Sequence, residues 1–431
     1  MRAALYNFFQ LEQHKTNIRT ELLAGLTTFS TMAYIIVVNP IIMKVAGMDF
    51  GAVMVATILA ASLATLIMGL YANYPFALAP GMGLNAFFAY TLVIDQQLPW
   101  QIALGACFWA GFFFLLLNVL GVRQLILEAI PETLRVTLTA GIGLFLAFIA
   151  LNNLHVVVSH PETLVTVGDL RSPEILLAAL GLITSCILIA LGYRGAILIS
   201  ILLVWVVGLI TGNAEWQGIF ALPPDISPTF MQLELFDALK PEYLGTVLTF
   251  AFIAIFDAAG TIAGLAEQGN FLDKDKKLPR VRRVFVADAI GTMVGSAVGT
   301  SPMTTYLESG AGVTAGGRTG LVAVVVAVLF LLSLFLAPLI ASIPFYATAS
   351  ALIIIGAQML VPLNRVNFDD VTEYIPGFMV LIIIPLTFSI STGIALGLIL
   401  FPIMKVLTGR VKEVHWLVWI LAALFILKFS L

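Results

Sequence analysis

An all-α polytopic membrane protein, with fourteen transmembrane segments in two inverted seven-span repeats, is the fold class that the sequence predicts. Three observations predict it: the composition, the recurrence of long apolar segments, and the placement of lysine and arginine. Of 431 residues, 60% are hydrophobic and only 10% charged, against roughly 25% charged in soluble domains. Such a chain lacks the polar surface that water requires. Apolar runs of about 20 residues, long enough to cross a bilayer, recur along the whole length, and Thr319 to Phe345 contains no charged residue.

Taken in order, the apolar segments lie near 22–43, 51–72, 76–94, 100–121, 133–152, 174–192 and 195–212. A second set lies near 243–266, 284–299, 303–316, 319–341, 345–362, 374–390 and 391–409, after a polar stretch at 213–242. An extra apolar helix at 414–430 either spans or lies in the interface. Before the first span, Arg2, Glu12, His14, Lys15 and Arg19 make a polar stretch unlike a cleaved signal peptide, so the first span is expected to stay in the membrane.

Orientation follows from basic residues. With a cytoplasmic N-terminus, the inner loops hold Arg123, Arg194, Arg318, Arg365, Lys405, Arg410 and Lys412, and the dense cluster Lys274, Lys276, Lys277, Arg280, Arg282 and Arg283. The outer loops hold Lys44, Arg171 and Lys240 among acidic Glu162, Asp169, Asp225, Glu234 and Asp237. This bias requires an odd number of spans in each half, so two copies of one unit are opposed in the membrane. Ile130-Pro131 against Ile343-Pro344, and Pro80 in the third span against Pro302 in the tenth, are similarities in a common order. Inverted repeats of this kind characterise secondary transporters.

The third and tenth spans are predicted to be broken. Residues 74–85 read YPFALAPGMGLN and 299–312 read GTSPMTTYLESGAG, too dense in proline and glycine for a continuous helix. Broken backbone at membrane depth needs protein or a water-filled cavity to satisfy it. Phe76–Ala79 and Gly299–Ser301 are expected to pair as short strands, with helices starting near Gly83 and Thr304 and their N-termini aimed at the midplane.

Asp257, mid-way through FIAIFDAAGTIAG, and Glu308, after the tenth-span break, are the candidate functional acids. A carboxylate in a membrane is costly unless it faces a cavity, pairs or takes up a proton. Two such acids at one depth suit a neutral polar ring, as acceptors and, when protonated, donors. Asn85 stands one residue from the repeat counterpart of Glu308, beside Leu84, and an amide there both donates and accepts. Thr28 belongs to a polar patch with Thr27, Ser30 and Thr31, while Tyr306 and Phe256 are possible stacking surfaces. Asp288, five residues after Arg283, sits either near the cytoplasmic surface or in a coupling role. Cys107 and Cys186 read as apolar packing, and His14, His155, His160 and His415 fall in loops or at span ends. No metal site, catalytic constellation or nucleic-acid surface is expected.

The runs GLTTFSTMAYIIVVNP, APGMGLNAFF, FDAAGT, GTSPMTTYLESGAGV and TEYIPGFMVLIIIPLTFSI closely resemble the AzgA-like purine permeases, a branch of the nucleobase–cation symporter (nucleobase–ascorbate transporter) family. The resemblance covers essentially the whole chain. It implies a fold like the uracil permease, with a core domain at 22–121 and 243–341 and a gate domain at 131–212 and 343–409. Residues 213–242 then form an extracytoplasmic connection and 414–430 a C-terminal helix. It also implies import of adenine, guanine or hypoxanthine into a bacterial-type cell across the plasma membrane. Asp257, Glu308, Asn85, Tyr306, Leu307, Leu84 and Thr28 would contact the base, and Asp257, Glu308 and Asp288 would carry proton coupling. No cofactor beyond the coupling proton is implied, and the family suggests a homodimer with elevator-like movement. Thr261 occupies the place of a histidine in the uracil permease, so a histidine-dependent scheme does not transfer. The alternatives are a bicarbonate- or sulfate-type anion transporter on the same fold, or a uracil or xanthine transporter. Two uncompensated acids argue against the anion reading.

Overall fold

A helix must satisfy its backbone internally to cross a bilayer, and most of this chain does so. The computed structural model describes residues 2–121, 131–274 and 277–430; Arg123, Ile130 and Lys276 lie outside the described residues. Among the described residues nine helices are long and apolar enough to cross a membrane, and Met82–Asp95, Ala196–Ile210, Val371–Thr387 and Trp416–Ile426 are shorter apolar helices. The chain divides into two compact units, Met1–Asn118 with Ser172–Ala351, and Val119–Arg171 with Leu352–Leu431.

In the first unit, the leading span is two helices, Ile18–Met32 and Ile35–Val45, that meet at Ala33 and Tyr34. Thr27, Ser30 and Thr31 turn their hydroxyls back onto the carbonyls of Leu23, Leu26 and Thr27, which loosens a helix. Pro40 inside the second helix removes one more donor. Glu21, fully buried, accepts from Thr16 Oγ1 at 2.9 Å, from the backbone N–H of Arg318 at 2.9 Å and Thr319 at 3.2 Å, and from Thr319 Oγ1 at 2.7 Å. It thereby serves the start of the Gly320–Ser333 helix, whose first N–H groups have no partner within the helix. Gly320 and Gly69 let two backbones touch, since a Cβ on either would clash with the other's carbonyl.

The two broken spans cross as strands β1 (Leu78–Pro80) and β4 (Met303–Thr305), antiparallel, with Leu78 opposite Thr305 and Pro80 opposite Met303. Gly81 N–H donates to Pro302 O at 3.0 Å and Tyr306 N–H to Ala77 O at 2.9 Å, so both ends of the ladder close alike. The outer backbone groups are met by hydroxyls of neighbouring helices. Thr65 exchanges hydrogen bonds with Leu78, Thr292 Oγ1 donates to Met303 O, and Ser309 Oγ accepts from Ala77 N–H.

The expected second strand at Gly299–Ser301 is corrected to Met303–Thr305. Gly299 ends the Val281–Val298 helix with φ +97° and Pro302 has no N–H to give, so pairing begins only after the proline. The expected helix start near Thr304 is likewise corrected to Ser309, because the β-branched Thr304 and Thr305 are spent on the strand. The helix expected near Gly83 begins at Met82.

The second unit contains the helices Glu132–Asn153, Val371–Thr387, Ile390–Leu407 and Trp416–Ser430. The expectation of an otherwise all-α chain is corrected here by a hairpin, β2 (Val157–His160) with β3 (Leu164–Val167). Lys405, fully buried, places its ammonium 2.8 Å from Glu373, 2.9 Å from Glu413 and 3.6 Å from Asp370, and Arg410 reaches Asp370 and Glu413 at 2.7 Å.

Candidate functional site

All of the candidate site lies in the first unit, around the strand crossing. Glu308 follows β4 and immediately precedes the Ser309–Thr314 helix. Its Oε1 accepts from Tyr34 Oη at 2.5 Å, and its carbonyl accepts from Thr31 Oγ1 at 3.3 Å. Tyr34 is 1% exposed and stands at the break in the first span. The break therefore aims a phenol, rather than a helix end, at the acid.

Asp257 occupies the middle of the Pro241–Gln268 helix, which packs against β4 and brings the carboxylate toward Thr304. Tyr306 Oη donates to Pro80 O at 2.6 Å, which ties the end of β4 to the end of β1. Tyr34, Tyr306, Asp257 and Glu308 are near enough to interact electrostatically. Asp257 and Glu308 remain half-buried. Among the described residues neither forms an ion pair with lysine or arginine, and no group of three or more metal-ligating side chains occurs. The arrangement offers two acceptor carboxylates, one on the continuous Pro241–Gln268 helix and one just after β4, with the phenols of Tyr34 and Tyr306 near them. That set can hold the N–H edge of a planar heterocycle by charge-assisted bonds.

The other expected residues are distributed unequally. Asn85 is fully buried, its Oδ1 against Ser301 Oγ and its Nδ2 without a partner among the described residues. Leu84, 1% exposed, abuts Gly81 beside the Thr304 methyl. Thr28 is buried against Gly312, at a helix-to-helix contact. Leu307 is 54% exposed and turns its side chain outward. Asp288 is 1% exposed and accepts from Thr305 Oγ1 at 2.9 Å, so it holds β4. Phe256 packs on Phe252 with ring centroids 4.9 Å apart. A separate cavity of about 720 Å³ lined by Phe29, Leu222, Leu329 and Phe335 contains neither acid.

Sequence reasoning missed Tyr34, Thr304 and Ser301. Tyr34 had one signal, a lone phenol between a hydroxyl-rich half-span and an apolar one. Thr304 and Ser301 had none beyond their place in a broken span.

Residues 19–396 match the model of a permease family, Xan_ur_permease. The adenine permease AdeP of Escherichia coli is 44% identical over 98% of this chain and 95% of its own length. The guanine/hypoxanthine permease PbuO of Bacillus subtilis is 42% identical over 97% of this chain and 99% of its own. Among solved structures, the transmembrane domain of the cyanobacterial bicarbonate transporter BicA superposes with a TM-score of 0.67 at 15% identity, over 87% of this chain and 97% of that one. At that identity the likeness concerns the fold alone.

Proposed function

The chain belongs to the permease family that it matches over residues 19–396, and on that premise we propose that it imports purine nucleobases by proton symport. It is a multi-pass membrane permease rather than an enzyme. The adenine and guanine/hypoxanthine permeases among its relatives support purines as cargo. One observation carries the reading: two half-buried carboxylates, Asp257 and Glu308, flank β4, with the Tyr34 hydroxyl on Glu308 and, among the described residues, no lysine or arginine paired with either.

An anion at this place would face two negative charges, so bicarbonate, the cargo for which BicA is named, is not favoured here. A neutral base instead brings N–H donors to both acids. In the proposed cycle, the base enters from outside and is read by Glu308 and Asp257, with Asn85 supplying a further polar contact. A proton taken up by one of the two acids then neutralises the loaded site, which lowers the cost of moving it through apolar surroundings. Fourteen spans in an inverted repeat, a cytoplasmic N-terminus in the plasma membrane, a core and gate division, a homodimer and elevator-like displacement complete the proposal. The like closure at both ends of the β1–β4 ladder supports the repeat.

The direct test is thermal stabilisation of the purified protein by adenine, guanine, hypoxanthine, xanthine, uracil and bicarbonate, followed by uptake into proteoliposomes under an imposed proton gradient. Purines alone should stabilise, and an inward proton gradient should drive accumulation. Asp257→Asn should abolish accumulation. Stabilisation by bicarbonate alone would overturn the cargo, and undiminished uphill uptake by Asp257→Asn would overturn the coupling role.

A further inference from the structure

Behind the strand crossing lies a second polar group of five residues, Asn39, Thr57, Asn85, Thr300 and Ser301, all fully buried. Asn39, just before Pro40 in the Ile35–Val45 helix, donates both hydrogens of its amide nitrogen, to Thr57 Oγ1 at 2.7 Å and Thr300 Oγ1 at 2.8 Å. The hydrogen of Thr57 is already committed to Val53 O at 2.7 Å, so Thr57 can only accept from Asn39. The Asn39 amide is thus locked in one orientation, with its carbonyl oxygen 3.4 Å from Ser301 Oγ. Ser301 Oγ closes on Asn85 Oδ1. The Ser301 hydroxyl has one hydrogen for two carbonyl oxygens, and the much closer one takes it, so the serine donates to Asn85 and the Asn39 oxygen lies beside it without that hydrogen.

The consequence falls on Asn85. Its carbonyl is occupied by Ser301, and its amide nitrogen keeps two hydrogens that no described residue accepts. A buried donor left unpaired keeps its full desolvation cost, which an acceptor on a ligand would recover. Were the amide reversed, Asn85 would offer a carbonyl and favour the opposite ligand edge. We infer that Ser301 is a positioning residue that fixes the polarity of the Asn85 amide, so that this position selects a base presenting an unprotonated ring nitrogen. The inference rests on the proposed base site at Asp257 and Glu308 and deepens it.

The experiment measures equilibrium binding of hypoxanthine and its 3-deaza and 7-deaza analogues to the purified full-length protein, with thermal stability recorded in parallel. Wild type should bind one deaza analogue about tenfold more weakly than the parent base, the size of one lost hydrogen bond. Ser301→Ala frees the Asn85 amide to turn, and discrimination should shrink to within about threefold, on the same scale of one neutral hydrogen bond. Ser301→Thr keeps the hydroxyl and should restore it. Ser301→Cys, close in size but with a weaker donor, should act in the same direction as Ser301→Ala more weakly, which provides a reading if Ser301→Ala fails to fold. A uniform loss of affinity for all three ligands, tracking a fall in stability, would mean a purely structural role and overturn the inference. Undiminished discrimination in both variants, or none in wild type, would overturn it too. Absence of hypoxanthine, adenine and guanine binding by wild type would instead sink the base site itself.

Discussion

Removing the Tyr34 hydroxyl is the sharpest single perturbation of the site. Tyr34→Phe deletes one oxygen from a residue that is 1% exposed and otherwise keeps its packing. The lost bond, 2.5 Å to Glu308 Oε1, ends on a carboxylate without an ion-pair partner. Hydrogen bonds to charged groups contribute about 1.5–3 kcal/mol, and each 1.4 kcal/mol is about tenfold in an equilibrium constant. If the phenol holds Glu308 in the orientation that meets the ligand, freeing the carboxylate should weaken binding by about ten- to a hundredfold. Labelled adenine or guanine binding to purified protein in nanodiscs reads this directly, with thermal stability as control. Because the acid borders a half-buried site, water can satisfy the released oxygen and the fold should survive. Affinity within about threefold of wild type, well under the loss of one charged hydrogen bond, would refute the reasoning: Tyr34 would then be a packing residue and Glu308 would be oriented by its own backbone.

Three other outcomes follow from the scaffold. Glu21→Ala should destabilise the protein by about 3 kcal/mol or more in thermal or denaturant unfolding, since four donors lose a buried charged acceptor; Glu21→Gln should cost visibly less. Gly320→Ala forces a methyl onto the Gly69 carbonyl, where neither backbone can retreat, and should cost about 3 kcal/mol, whereas Gly245→Ala, with open space around it, should be neutral or stabilising by up to about 1 kcal/mol. In the second unit, hydrogen bonds from Thr372 and then Arg410 hold the Asp370 carboxyl below its usual range, and those from Arg410 and Lys405 bring Glu413 from 4.5 down to about 2. Both groups are lowered in the folded state, so their contribution is complete above pH 4.5 and is lost as pH falls toward about 2. The thermal stability gap between wild type and Glu413→Gln should close across that window, and a gap independent of pH would contradict the assignment.

The parts legible in the sequence were those that a bilayer enforces over many residues. Span-length apolar runs, and the proline- and glycine-rich breaks at residues 74–85 and 299–312, needed no knowledge of partners. Register was not legible, because a three-residue strand is too short to show an alternating pattern and Pro302 shifted the pairing by its missing N–H. The hairpin at Val157–Val167 did carry a signal, two β-branched runs around a short turn, which a reading tuned to membrane spans passed over. Tyr34 could not be singled out, since an aromatic in an apolar span is ordinarily packing. Its meaning depends on Glu308, which only the folded crossing brings to it. Counting residues from Arg283 leaves Asp288 open between the cytoplasmic surface and a coupling role, and only the folded chain brings it to Thr305.

The buried and half-buried carboxylates can be sorted by what compensates them, and the sorting separates scaffold from site. Glu21 spends its oxygens on four donors at a helix start. Asp288 accepts from Thr305 and braces a strand. Asp370, Glu373 and Glu413 surround Lys405, with Arg410 closing the group. In each of these cases the charge is met by structure that folding alone provides. Asp257 and Glu308 differ in exposure: both are only half-buried, whereas Asp288 is enclosed. Glu308 receives the Tyr34 hydroxyl, and among the described residues neither acid pairs with a lysine or arginine. A fold that needed these acids only as braces would use them as it uses Asp288, enclosed behind the strands. Asp288 apart, the bracing of β1 and β4 falls to neutral groups, Thr65 and Thr292. The two half-buried acids are thereby left with acceptor capacity, and that capacity is what the proposed base, with its N–H donors, and the proposed coupling proton would use.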